Sequence, residues 1–144
     1  MTTAVKRSVS SHHQHGEFEL SIQGNVIVAD IHGSWNAQAA KAFDVEFRQL
    51  VQQLSQKSWA HLAYLDNWEL GTSEMVAVIE ELGVWCIEQG MKRAAHVYQP
   101  SHFKSLLLDD MVVEQQGEFQ RRSFAEADQA IAWLAADGYL LNEG

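Results

Sequence analysis

Apolar residues follow two periods along the chain, and the switches between them mark out the expected elements. Phe18, Leu20 and Ile22 alternate with polar neighbours, which predicts a half-buried strand. Gly24-Asn25 supplies a tight turn into the nearly continuous apolar run Val26-Ile27-Val28-Ala29, so the pair reads as a hairpin with an edge strand and a buried one. From 36 to about 56 the period lengthens. Ala40, Phe43, Phe47, Leu50, Val51 and Leu54 recur at helical spacing, with Lys41, Asp44, Arg48, Gln52 and Gln53 on the opposite face.

Residues 59–65 predict a third strand and 66–71 a loop. A second helix follows over 73–89, with Thr72 as its cap, Glu74 suited to its positive end and Gly90 as its stop. Residues 93–98 read as a fourth strand, and Pro100-Ser101 opens a third helix carrying Phe103, Leu106 and Leu107. After Gly117, residues 118–122 read as a fifth strand, and Ser123-Phe124-Ala125-Glu126 fits a capping box opening the last helix. That helix has Ala127, Ala130, Ile131, Trp133 and Leu134 on its apolar face.

The order ββαβαβαβα, without internal repeats or low-complexity linkers, predicts an α/β fold. Its sheet is expected to be mainly parallel and five-stranded with an antiparallel edge strand, flanked by about four helices. Residues 1–15, rich in Ser, His and Thr and without periodicity, are expected to form a flexible tail, leaving one domain over 16–144. A chain of 144 residues suits one domain able to bury a real core.

Composition narrows the function classes. Cys86 is the only cysteine and sits inside an apolar helical pattern, so a buried, inert thiol in a reducing, cytoplasmic setting is expected. No apolar stretch follows Lys6 and Arg7 and no window approaches a spanning helix, so neither export nor membrane insertion is expected. A net charge of -9 and a pI near 5.1 would repel phosphate backbones, and the basic residues are scattered, which argues against nucleic acid as a partner.

Three features carry a resemblance: the hairpin with Gly24-Asn25; the strand-end segment Leu65-Asp66-Asn67 leading into a helix; and Arg122-Ser123-Phe124-Ala125-Glu126-Ala127 followed by Ala132-Trp133-Leu134. On these the chain, over about residues 16 to 140, resembles the SpoIIAA-like family. This bacterial group shares the fold of anti-sigma-factor antagonist (STAS) domains and is loosely related to CRAL-TRIO lipid-binding domains. The resemblance implies a STAS-like sheet and a binding or regulatory role, because a fold does not transmit function by itself. In antagonist domains a serine in an Asp-Ser-Ser-Gly-like stretch is the phosphorylated switch. The corresponding stretch here is Leu70-Gly71-Thr72-Ser73-Glu74, which makes Thr72 and Ser73 candidates. Gly71 replaces the Asp and Glu74 the Gly, so a phosphate would meet like-charge repulsion although a helix N-terminus favours it.

Ligands of open α/β sheets sit beyond the carboxyl ends of the parallel strands. That rim comprises His32, Ser34, Asp66, Asn67, Glu69, Tyr98 and His102. A Ser34, His102, Asp66 triad can be drawn, yet no nucleophile elbow surrounds Ser34, so no catalytic residue is assigned and no enzymatic activity is expected. His12, His13 and His15 lie on a polar stretch without a carboxylate or thiol nearby, so neither a metal nor a cofactor is expected. His61 and His96 fall within strands, where a structural role is usual. Glu80-Glu81 and Asp109-Asp110 read as solvated helix faces, since adjacent helical positions do not face each other.

The second helix is apolar around much of its girth. Met75, Ile79, Leu82 and Cys86 form one stripe, while Val78 and Trp85 lie off it. Such a helix is covered on more than one side, by a neighbouring helix, a second subunit or a ligand. Val78 and Trp85 with Phe103, Leu106 and Leu107 are therefore the expected interaction surface. The leading expectation is a non-enzymatic STAS-like module acting through protein partners, a homodimer included. The alternative is a carrier or sensor of a small hydrophobic ligand held between those helices and the sheet, for which an apolar pocket of several hundred cubic ångströms would be expected.

Overall fold

The structure is a computed structural model describing residues 2–8 and 16–141. Its elements in chain order are β1 Thr2–Ser8, β2 Glu17–Gln23, β3 Val26–Trp35, α1 Ala37–Gln53, β4 Trp59–Tyr64, β5 Trp68–Gly71, α2 Ser73–Glu88, β6 Met91–Val97, α3 His102–Met111, β7 Gln115–Gln116, β8 Phe119–Phe124 and α4 Ala127–Ala136. The strands run β1-β2-β3-β4-β6-β8-β7 across the sheet, and β5 pairs with the far end of β3. The four central strands β3, β4, β6 and β8 are mutually parallel, while β1, β2 and β7 add antiparallel margins. This is the expected α/β architecture with all five expected strands and all four expected helices.

Alternation along the parallel strands sends side chains into two cores. Ile27, Ala29 and Ile31 of β3, Trp59 and Ala63 of β4 and Ala94 of β6 pack under α1 and α2. The intervening Val26, Val28, Ala60, Leu62, Ala95 and Val97 pack with Ala130 and Leu134 of α4 on the other face. Period-two alternation is what a sheet covered on both faces requires. The caps of two helices follow the sequence: Thr72 Oγ1 accepts from Met75 N at 3.4 Å, and Ser101 Oγ accepts from Lys104 N at 3.2 Å.

Four local expectations differ from the structure. Residues 2–8 pair as β1 along β2 where a tail was expected. Thr2, Thr3 and Val5 carry β-propensity without alternation, and the open edge of β2 offers unpaired backbone groups to any extended segment. The remainder of the expected tail, with His12, His13 and His15, lies outside the described residues. Residues 68–71, read as part of a loop, form β5, with Gly33 opposite Trp68 and Trp35 opposite Gly71. The short β7 was also not anticipated. The capping box at Ser123–Glu126 does not form: β8 continues through Phe124, Ser123 pairs with His96, and Glu126 is the N-cap without a side-chain bond. Strand pairing with β6 satisfies the backbone there, so the cap has no role at Ser123.

Candidate functional site

The expected interaction surface divides. Arg48 of α1 stacks over Trp85, 4.7 Å from its ring centroid, and Val78 and Trp85 are partly buried against the core. Leu107 is also partly buried, whereas Phe103 is 69% exposed, Leu106 50% and Val84 of α2 51%. The neighbouring helix that the amphipathic pattern left open is α1. What stays open is the outer face of α3, with Val84 of α2 by the C-terminal end of α3, near Asp109 and Asp110.

Polar ties hold α3 to the sheet, since only Leu108 and Met111 of this helix are buried. Lys104 Nζ donates to the carbonyls of Leu65, at 2.7 Å, and Asp66, at 3.2 Å. The Tyr98 and Ser105 hydroxyls lie 2.8 Å apart, and Arg121 Nη2 meets Asp109 Oδ1 at 2.7 Å. The first two ties use strand-end positions, so the rim at the carboxyl ends of β4 and β6 anchors α3.

The same rim accounts for the other candidates. Asp66 Oδ1 accepts from Gln99 N at 2.8 Å, and the Asn67 carbonyl accepts from Gly33 N at 2.9 Å, which joins the ends of β3, β4 and β6. His32 lies by Asp30, with Nε2 3.2 Å from its carboxylate, and His102 is exposed at the start of α3 beside Phe103. Ser34 is exposed, and among the described residues no hydrogen bond links it to His102 or Asp66. Thr72 and Ser73 are exposed at the start of α2, but Thr72 Oγ1 serves as the cap. Gly71 has a steric reason: a β-carbon there would stand 2.5 Å from the Trp35 carbonyl and press on the Met75 sulfur.

A cavity of about 100 Å³ lies between the sheet and α1, α2 and α3, in the place where the alternative reading expected a larger apolar pocket. Phe43 and Phe47 line it from α1, Leu82 and Cys86 from α2, and Leu108 and Met111 from α3. The sheet contributes His61 and His96, whose rings lie 6.5 Å apart edge to face, together with Trp68. Among the described residues no Lys, Arg, Asp or Glu lines it. The volume is well short of the several hundred cubic ångströms expected for a carrier of a small hydrophobic ligand.

Burial governs the chemistry of these groups. It lowers the pKa of His61 to about 4, opposed by a backbone bond to the Ile27 carbonyl at 2.9 Å. Since a carbonyl only accepts, Nδ1 of His61 carries the proton and Nε2 is the acceptor of the neutral ring. Burial pushes the His96 pKa well down, reinforced by His61 and Arg121. It pushes the Cys86 thiol up. The inward register was available in Trp59-x-His61-x-Ala63 and Ala94-x-His96-x-Tyr98, where each His shares its strand's core-facing set.

A mainly parallel sheet with antiparallel margins, helices on both faces and a closed strand-end rim defines a SpoIIAA-like α/β fold. Solved structures share this fold. An uncharacterised DUF3478-family protein with a SpoIIAA-like fold from Shewanella loihica PV-4 superposes with a TM-score of 0.62 at 11% identity, covering 88% of this chain and 99% of its own. The anti-sigma factor antagonist SpoIIAA, in its unphosphorylated form, gives a TM-score of 0.55 at 11% identity, covering 82% of this chain and 97% of its own. No family model and no curated protein matches the sequence. Among the described residues no helix is long and apolar enough to cross a membrane.

Proposed function

We propose that this chain is a non-enzymatic regulatory module that works by binding a protein partner through the outer face of α3 and the adjoining edge of α2. The observation that carries this reading is the exposure of Phe103 and Leu106 on a helix whose inner side is fixed by Lys104, Ser105 and Asp109. Contiguous apolar residues left in water on a soluble protein mark an interaction site, and a Phe at their centre suits an anchor. The antagonist SpoIIAA, which shares the fold, makes a regulatory reading apt without fixing the partner. A second copy of the chain is one such partner, and a cytoplasmic setting accords with the single buried thiol.

The test compares wild type with Phe103→Glu/Leu106→Glu. Sedimentation of the purified proteins reads self-association, and crosslinking in source cells reads other partners. The double variant should fold normally, because both side chains are exposed, and should lose the contacts that wild type makes. Identical sedimentation together with identical crosslinked partners would remove this face from the proposal.

A further inference from the structure

The cavity beneath α3 differs from an ordinary packing defect in what surrounds it. His96 is 4% exposed and Trp68 2%, both line the cavity, and among the described residues neither Nδ1 of His96 nor Nε1 of Trp68 has a hydrogen-bond partner. A polar group buried without a partner is destabilising, so two at one cavity call for an explanation. His61 adds an imidazole whose Nδ1 is committed to the Ile27 carbonyl, leaving Nε2 as an acceptor. Indole Nε1 can only donate. Two orphaned polar side chains, His96 and Trp68, thus line an otherwise apolar space.

We infer that this cavity is a binding site for a small neutral molecule with an apolar body and one hydroxyl group, of phenol size or less. The hydroxyl can bond Nδ1 of His96, the unpartnered imidazole nitrogen, whereas a hydrocarbon would leave it unmet. Charge is disfavoured because among the described residues no charged side chain lines the space. Size follows from the volume of about 100 Å³, set against the roughly 150 Å³ of an apolar cavity that admits benzene. Met75 and Met111 line it and are flexible enough to yield to a ring. Leu108 and Met111 are the inner side of the helix that carries Phe103 and Leu106 outward, so occupancy would bear on α3. The site itself does not depend on the partner surface.

Amide-resolved NMR titration of the full chain at pH 7.5 tests it, with phenol as probe and benzene and benzoate as comparators. Phenol should give saturable shifts in α2, α3, β4 and β6 with a Kd on the order of a millimolar. Benzene should bind at least about fivefold more weakly, and benzoate should leave those amides unmoved. Leu108→Trp should abolish the phenol shifts by filling the space. His96→Leu should bring phenol and benzene within about twofold of each other, and it carries the test alone if Leu108→Trp unfolds. No saturable phenol shifts at those amides in wild type, equal phenol and benzene affinity, benzoate binding there, or an undiminished phenol preference in His96→Leu would each overturn the inference.

Discussion

Arg48 Cζ lies 4.7 Å from the centroid of the Trp85 ring while its Nε bonds Asp44 Oδ1 at 3.0 Å, so one guanidinium joins two turns of α1 to α2. Trp85 is therefore a helix-packing residue before it is a surface one. Trp85→Ala should cost about 1.5–3 kcal/mol, because a large half-buried ring is removed. Arg48→Ala should cost less, about 0.5–1 kcal/mol, the range of partly exposed cation–π contacts. A double-mutant cycle by urea unfolding should show a coupling of about half a kilocalorie per mole or more. Strictly additive losses would mean that the stacking contributes nothing.

The neutral imidazoles of His61 and His96 make stability depend on pH in a definite direction. Both pKa values lie below the ordinary 6.5, His61 at about 4, so the unfolded chain binds more protons between pH 6.5 and 4. Their contribution is complete above pH 6.5 and is lost as pH falls through that window, at about 1.4 kcal/mol per pH unit for each fully differential proton. Thermal melts at pH 7.5 and pH 5 should show His96→Leu losing less stability on acidification than wild type. An identical drop in both proteins would mean that His96 does not titrate on unfolding.

Period and punctuation reported the fold well, because both are local. The hairpin at Gly24-Asn25, the caps at Thr72 and Ser101 and the stop at Gly90 all stand where the residues put them. What local pattern could not report was pairing. β5 exists because Trp68 and Gly71 meet β3, and Ser123 belongs to a strand because β6 is beside it. The surface divided for the same reason: a helical wheel shows that Trp85 is off the stripe but not that Arg48 covers it. The size of the cavity and its histidine lining were hidden too, since a void depends on how three helices meet the sheet.

Gly71 is fixed by crowding. Replacing Gly by Ala elsewhere in irregular structure stabilises by about 0.4–1 kcal/mol through the unfolded state. Here the added carbon would stand 2.5 Å from the Trp35 carbonyl, whose strand pairs with Gly71 and which accepts from Thr72 N at 3.0 Å. Overpacking against backbone costs about 1–3 kcal/mol and wins. Gly71→Ala should melt several degrees below wild type. An unchanged or raised Tm would show that β5 shifts freely.

Cys86 gives a chemical readout of the same packing. Its side chain is buried in α2, and burial raises the thiol pKa, with Asp44 adding to the rise and Arg48 opposing it. The thiolate is the reactive form, so the native protein should resist alkylation by iodoacetamide at pH 8, and reaction should follow opening of the α1–α2 contact. Arg48→Ala and Trp85→Ala loosen that contact, so both should speed labelling of Cys86 even at temperatures where the protein stays folded. Labelling of wild type at the rate of the urea-unfolded chain would contradict the burial. Variants that lower stability without speeding labelling would instead place the opening that exposes Cys86 at the cavity side of α2, away from α1.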